Sequence, residues 1–262
     1  VVVVGGGTGL SNLLKGLKHF PVNLSAIVSV ADDGGSTGRL RDDFDMPAPG
    51  DIRNVMVSLS KKETLIEDLF EHRFSEGELK GHCLGNIMLA GMLELTGSMT
   101  KATSALSQVL DLHGEVIPVS NQSLELCANL ENGDVLNGES VIGNRGKGAP
   151  KIDNVFYKKK AVASRKAIKA IRQADVIVFG IGSLYTSISP NLIIEGIRKE
   201  ILKSKAERIY VCNIMQQPGE TLGYSASDHV KTVEKHLEGK IDTVIANNNI
   251  KLPKDIMQKY LD

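Results

Sequence analysis

The chain opens Val1-Val-Val-Val-Gly-Gly-Gly-Thr-Gly-Leu10-Ser-Asn-Leu-Leu14. Consecutive valines predict a strand buried on both faces, and Leu10, Leu13, Leu14 and Leu17 follow it at helical spacing. Gly5 to Gly9 is then a strand-to-helix turn. In an α/β sheet such a turn lies at the carboxyl edge, where the backbone comes close to a ligand and the next helix directs its free N–H groups at an anion. Gly6, Gly7, Thr8, Gly9 and Leu10 are therefore candidate phosphate-seat residues, although tight packing of helix on strand accounts for the same glycines. The dinucleotide fingerprint needs a third glycine where Leu10 stands, and the lysine of a Walker loop is absent. A nucleotide other than a nicotinamide cofactor is the better expectation.

A second polar stretch, Val30-Ala-Asp-Asp-Gly-Gly-Ser-Thr-Gly-Arg39-Leu-Arg, follows the expected strand 25–30. It reads as the start of a long functional loop, 31–50, with Asp32, Asp33 and Arg39 as candidates. Asp51 either caps the next helix, 52–59, or meets a ligand. Asn86 has the same two readings at the start of the apolar helix 87–95, with His82 beside it. No second His or Cys stands at ligand spacing, so a metal triad is not supported.

The grammar changes over 115–160, which reads as a β-rich insert within one domain spanning 1–262. Strands are expected at 116–120, 124–130 and 155–157, with a mobile basic tip at 138–150 carrying Arg145 and Lys147. Helix 161–173 and strand 175–179 then lead into Gly180-Ile-Gly-Ser-Leu-Tyr-Thr-Ser-Ile-Ser-Pro-Asn191, whose backbone and hydroxyls suit phosphate or sugar oxygens. Gly182, Ser183, Tyr185 and Thr186 are its candidates, and Ser189 with Pro190 reads as the entry to a helix over 192–203. Strand 208–214 ends in Asn213, Met215 and Gln217. Helix 226–238, a strand at 243–246 and a helix opened by Pro253, with Tyr260 inside it, complete the chain. Four strands thus end in polar loops, which the switch-point rule gathers into one crevice. The expected fold is α/β: a Rossmann-like three-layer sandwich with a mostly parallel sheet and a small β-rich insert.

Composition narrows the partners. With 262 residues and 42% hydrophobic content the chain can bury a large core. Lys plus Arg and Asp plus Glu both number 31, so no polyanion-binding field is expected and nucleic acid is excluded as a partner. Cys83, Cys127 and Cys212 are widely separated, apolar runs are too short to insert in a bilayer, and the opening strand is no signal peptide. A reducing cytoplasm is the expected location. The chain begins without Met, so a few residues are expected ahead of Val1. The apolar stretch Ile87 to Leu95 and the insert predict a homodimer.

Gly5-Gly-Gly-Thr-Gly-Leu-Ser, Val30 to Arg41, Pro49-Gly-Asp-Ile-Arg-Asn, Gly182-Ser-Leu-Tyr-Thr-Ser-Ile and Met215-Gln-Gln-Pro-Gly-Glu-Thr together resemble the YvcK-type gluconeogenesis factors of bacteria. The likeness covers nearly the whole chain, and members commonly continue beyond the region of Tyr260, so a C-terminal piece of the ligand pocket is expected to be missing. The resemblance implies a cytoplasmic regulatory protein needed for gluconeogenic growth and cell shape. It implies a UDP-sugar as ligand, an unidentified protein partner and no established catalysis. The fold also resembles 2-phospho-L-lactate transferase, a CofD-like, magnesium-dependent phosphotransferase with a nucleotide-activated donor. From that relative Asp32 or Asp33 carries over as a candidate Mg or acceptor-site acid, Asn86 lies near the diphosphate, and Gly182 to Ser187 form the nucleotide loop. Aromatic content of 4%, without Trp, argues against a bulky deazaflavin acceptor. In the first reading Gly5 to Leu10 seat the diphosphate and Asp32 and Asp33 meet sugar hydroxyls. Gly182 to Thr186 and Asn213 to Gln217 hold the nucleoside, and one of Tyr185, Tyr224 or Tyr260 covers the base. In the second, Asp32 or Asp33 binds Mg with Arg39 assisting.

Overall fold

A computed structural model describes residues 1–61 and 63–248, without the side chains of 63 and 64. Tyr260 and the helix expected after Pro253 lie outside these residues. The chain runs β1 (Val2–Gly5), α1 (Gly7–Leu17), β2 (Ser25–Val28), α2 (Gly35–Phe44), α3 (Gly50–Leu59), α4 (Glu63–Glu71), α5 (Leu84–Thr96), α6 (Met99–Val109) and β3 (Glu115–Pro118). Then come β4 (Leu126–Leu130), β5 (Val135–Asn137), α7 (Glu139–Gly143) and β6 (Ile152–Tyr157). The rest is α8 (Arg165–Arg172), β7 (Val176–Phe179), a π-helical turn (Leu184–Ile188), α9 (Ser189–Leu192), α10 (Glu195–Lys203), β8 (Glu207–Val211), α11 (Ala226–Leu237) and β9 (Thr243–Ile245).

Six strands form one sheet in the order β3-β2-β1-β7-β8-β9, and every neighbouring pair is parallel. The order steps outward in one direction from β1 and then in the other from β7, so the switch point falls between these two strands. Val2, Val3 and Val4 are buried, as β-branched residues in a strand covered on both faces should be. Helix α1 lays Leu10 and Leu14 into the same core. Ser164 caps α8 by accepting the Ala167 N–H at 3.2 Å and donates its own proton to Pro118 O at 2.7 Å, which ties that helix to β3. A capping box between Ser225 and Asp228 starts α11. The second sheet is antiparallel, β5-β4-β6. All three cysteines are free and buried, and among the described residues no helix is long and apolar enough to cross a membrane.

The parallel α/β layout and the small antiparallel sheet match the expected class, and the local details differ. The stretch 31–50 is not one long loop: residues 35–44 form α2, because Ser36, Thr37 and Leu40 find buried positions that outweigh the glycines' poor helix propensity. Strand β3 pairs in the main sheet, so the insert is narrower than 115–160, and β5 and α7 complete it. Asp51 is no cap. It sits in the first turn of α3 behind Pro49 at the cap position. Asn86 likewise stands inside α5, whose cap position is Cys83. Ser189 is not a cap either, and the helix expected over 192–203 is broken between α9 and α10.

Candidate functional site

The site grows from the switch point. Gly6 follows β1 in an extended conformation at the cap position and α1 begins at once, so the first N–H groups of that helix face the carboxyl edge. The turn after β7 lies directly against it: a Cβ on Gly9 would come 2.6 Å from Ile181 O, and one on Gly182 would come 3.1 Å from Gly6 O. Bare glycines are what allow two backbones this close. Thr8 is exposed, and Ser187 Oγ is 3.4 Å from the Cβ position of Gly7.

Acids line the neighbouring edge. Asp32 Oδ1 accepts the Gly34 N–H at 2.9 Å, and Asp33 Oδ1 accepts the Ser140 N–H of α7 at 2.8 Å. Asp51 faces the Gly7 N–H, and Glu139 stands near the Thr186 side chain. Burial first and the Asp32 carboxylate second push the Asp51 carboxyl up to about 7. Burial, then Asp32, Asp33 and Asp51, push Glu139 up to about 8. The mouth therefore carries two carboxyls that hold protons near neutrality. Among the described residues no group of three or more His, Cys, Asp or Glu is arranged to hold a metal ion. Asp32 and Asp33 each accept one backbone N–H through Oδ1, which leaves the Oδ2 of each with acceptor capacity for a cation or a hydroxyl.

Asn86 reaches the same mouth from α5. Its amide donates to Ser36 Oγ at 3.3 Å and Thr37 Oγ1 at 3.4 Å, while its buried Oδ1 has no partner among the described residues. Thr37 Oγ1 and Asp32 Oδ2 both lie 2.5 Å from the Cβ position of Gly50, which connects Asn86 to the acids. Arg39 turns to the side: its guanidinium donates to Lys80 O at 3.0 Å.

The loops after β7 and β8 are stitched together. Asn213 accepts the Gly182 N–H at 3.4 Å and donates to Gly182 O at 2.8 Å. Ser183 Oγ donates to Gln217 Oε1 at 2.8 Å, and Glu220 accepts from Tyr185 N at 3.0 Å and Thr186 Oγ1 at 3.0 Å. Tyr185 is 2% exposed, and its hydroxyl is held by Ile152 O at 3.2 Å and the Tyr224 hydroxyl at 2.8 Å.

Residues 1–262 match the family model described as 2-phospho-L-lactate transferase CofD. The chain belongs to the CofD family. Its CofD-family relatives include the gluconeogenesis factor of Bacillus subtilis, 49% identical over 99% of this chain and 82% of that protein. The gluconeogenesis factor of Halalkalibacterium halodurans is 52% identical over 94% and 77%. The crystal structure of a UPF0052-family protein from Bacillus halodurans superposes with a TM-score of 0.94 at 48% identity, covering 99% of this chain and 83% of that one.

In this CofD chain Gly6 to Gly9, Asp32, Asp33, Asp51, Asn86 and Gly182 to Thr186 gather at one edge of the sheet, whereas the Leu10 side chain, 0% exposed, packs in the core and offers a ligand nothing. Met215, in the loop after β8, is half-buried. Tyr185 is a second exception: a ring packed in the core with its hydroxyl doubly bonded has no face left to cover a base. Ser183 bonds Gln217 and Asn213 bonds the Gly182 backbone, so these side chains shape the crevice wall. Arg145 is also committed, donating to Ile142 O at 3.2 Å, to Pro150 O at 2.6 Å and to Gly219 O. Ser36, Thr37, Glu139 and Glu220 also stand at this edge; the first two and Glu220 lie in quoted motifs but are not among the individual candidates, and Glu139 is not singled out at all. For Glu220 the only signal is an acid following Pro218-Gly219 in a loop that ends a strand.

Proposed function

We propose that this CofD-family chain is a cytoplasmic regulatory protein that binds a nucleotide sugar of the UDP-sugar class and supports gluconeogenic growth and cell shape through an unidentified protein partner. One observation carries the reading: the glycine-walled start of α1 at the switch point stands beside a carboxyl-rich flank. A diphosphate is attracted by the N–H groups of the helix start after Gly7, whose own N–H faces Asp51, and repelled by Asp32 and Asp33. Sugar hydroxyls have the opposite preference, since they donate to carboxylates. A ligand with a diphosphate at its centre and a polyol at one end therefore has one favoured orientation. The protons held by Asp51 and Glu139 reduce the repulsion that the diphosphate meets.

A second reading, a phosphotransferase, is favoured by the description of the family model. Titration calorimetry separates the two. Binding of UDP-N-acetylglucosamine in EDTA, with no product after prolonged incubation, supports the regulator. Binding that needs Mg, followed by transfer of a phosphoryl-bearing group to an acceptor, supports the transferase and overturns the first reading.

A further inference from the structure

Glu220 is 3% exposed, yet its carboxylate makes no salt bridge within the described residues. It is surrounded by donors instead. Oε2 accepts the Tyr185 N–H at 3.0 Å, and Oε1 accepts the Thr186 hydroxyl at 3.0 Å and the Gln217 amide at 3.2 Å. The Thr186 N–H is directed at it as well. A carboxylate offers about four lone-pair sites, whereas a Gln amide in its place would set an NH2 against other donors. Burial raises the Glu220 carboxyl above its usual range, and the donors, with the Arg145 guanidinium nearby, oppose that rise. The insert braces this loop from behind. Arg145 donates to Gly219 O, and a Cβ on Gly219 would fall 2.3 Å from Arg145 O, so only glycine lets the two backbones meet.

We propose that Glu220 is a positioning residue: by gathering the donors of Tyr185, Thr186 and Gln217 it holds the Ser183–Ile188 turn in the shape that forms one wall of the crevice, and Arg145 anchors it from the insert. The ligand consequence rests on the nucleotide-sugar reading, and the structural consequence does not. Gly182 and Ser187, at the two ends of the turn, reach the α1 start, so loosening the middle of the turn moves both.

The test uses the full chain with Glu220→Gln, Arg145→Met and the exchanged pair Gln217→Glu/Glu220→Gln. Amide hydrogen exchange is read residue by residue, and UDP-N-acetylglucosamine affinity by calorimetry. Glu220→Gln is expected to quicken exchange at Tyr185 and Thr186 about tenfold while β2 and α8 keep wild-type protection, and to raise Kd about tenfold. Arg145→Met shifts the same amides in the same direction and decides the matter if Glu220→Gln does not fold. The exchanged pair restores part of the protection, because the carboxylate again faces the amide. Exchange at these amides within twofold of wild type, or quickened equally throughout the molecule, overturns the proposal. Faster local exchange with unchanged Kd overturns the positioning role. Failure of the wild type to bind the nucleotide sugar sinks the function reading alone, since the exchange measurement still decides the turn.

Discussion

Asp33 Oδ1 accepts the backbone N–H of Ser140 at 2.8 Å across 107 residues of chain. An acid at the carboxyl edge of the main sheet thereby satisfies the first turn of a helix in the insert, and the insert is fastened over the mouth.

Asp33→Ala should lower folding stability by about 1 kcal/mol, the usual effect of losing a cap, and Asp33→Asn by less, because its amide oxygen still accepts. Gly138→Ala should be worse. Its φ of +99° is costly for any Cβ, and that Cβ would lie 2.7 Å from Asp33 Oδ2. Urea unfolding of the three variants gives the order.

Gly9→Ala should both destabilise the chain, by about 1–3 kcal/mol, and weaken UDP-N-acetylglucosamine binding. The added methyl meets a backbone carbonyl, Ile181 O, at 2.6 Å and has to push α1 away from the neighbouring turn. Wild-type stability measured by urea melts would contradict the packing described for this junction.

Asp51 and Glu139 make stability fall as pH rises. Their carboxyls titrate at about 7 and about 8 when folded, against reference values of 3.8 and 4.5. Between those limits the folded state binds protons that the unfolded state has released, so their contribution is fully present below about pH 4 and lost on passing about pH 8. Asp51→Asn and Glu139→Gln should each gain stability relative to wild type with rising pH, by up to about 1.4 kcal/mol per pH unit. Urea midpoints from pH 5 to 8 read the slope, and parallel curves for variant and wild type would refute it.

Thr8 is exposed at the helix start, so Thr8→Val should leave stability within about 0.5 kcal/mol of wild type. If the diphosphate sits there, Kd for UDP-N-acetylglucosamine rises several-fold, on the order of one lost hydrogen bond. Calorimetry and a melting curve on the same sample separate the two effects.

The sheet and the glycine turn from β1 into α1 were legible because they rest on local pattern. Valine runs bury on both faces wherever they occur, and a glycine turn between strand and helix has one place in such a sheet. The caps expected at Asp51, Asn86 and Ser189 were not realised, since each helix begins earlier than its best capping residue and the side chain finds a more distant partner or none. Asn86 illustrates this: its amide goes to Ser36 and Thr37, some 50 residues away. Helix α2 was hidden for the converse reason, its glycines and charges masking the buried positions that stabilise it.

By itself the amino-acid order determined the alternation of strand and helix, the parallel sheet and the edge at which the glycine turns lie, because each depends on spacing along a few neighbouring residues. Only the tertiary structure decided which polar groups face that edge and which bond one another. Tyr185, which donates to Glu220, Gly182, which donates to Asn213, and Ser140, which donates to Asp33, lie 31 to 107 residues from their acceptors, and a partner at that distance is set by how the loops pack, which no local pattern contains.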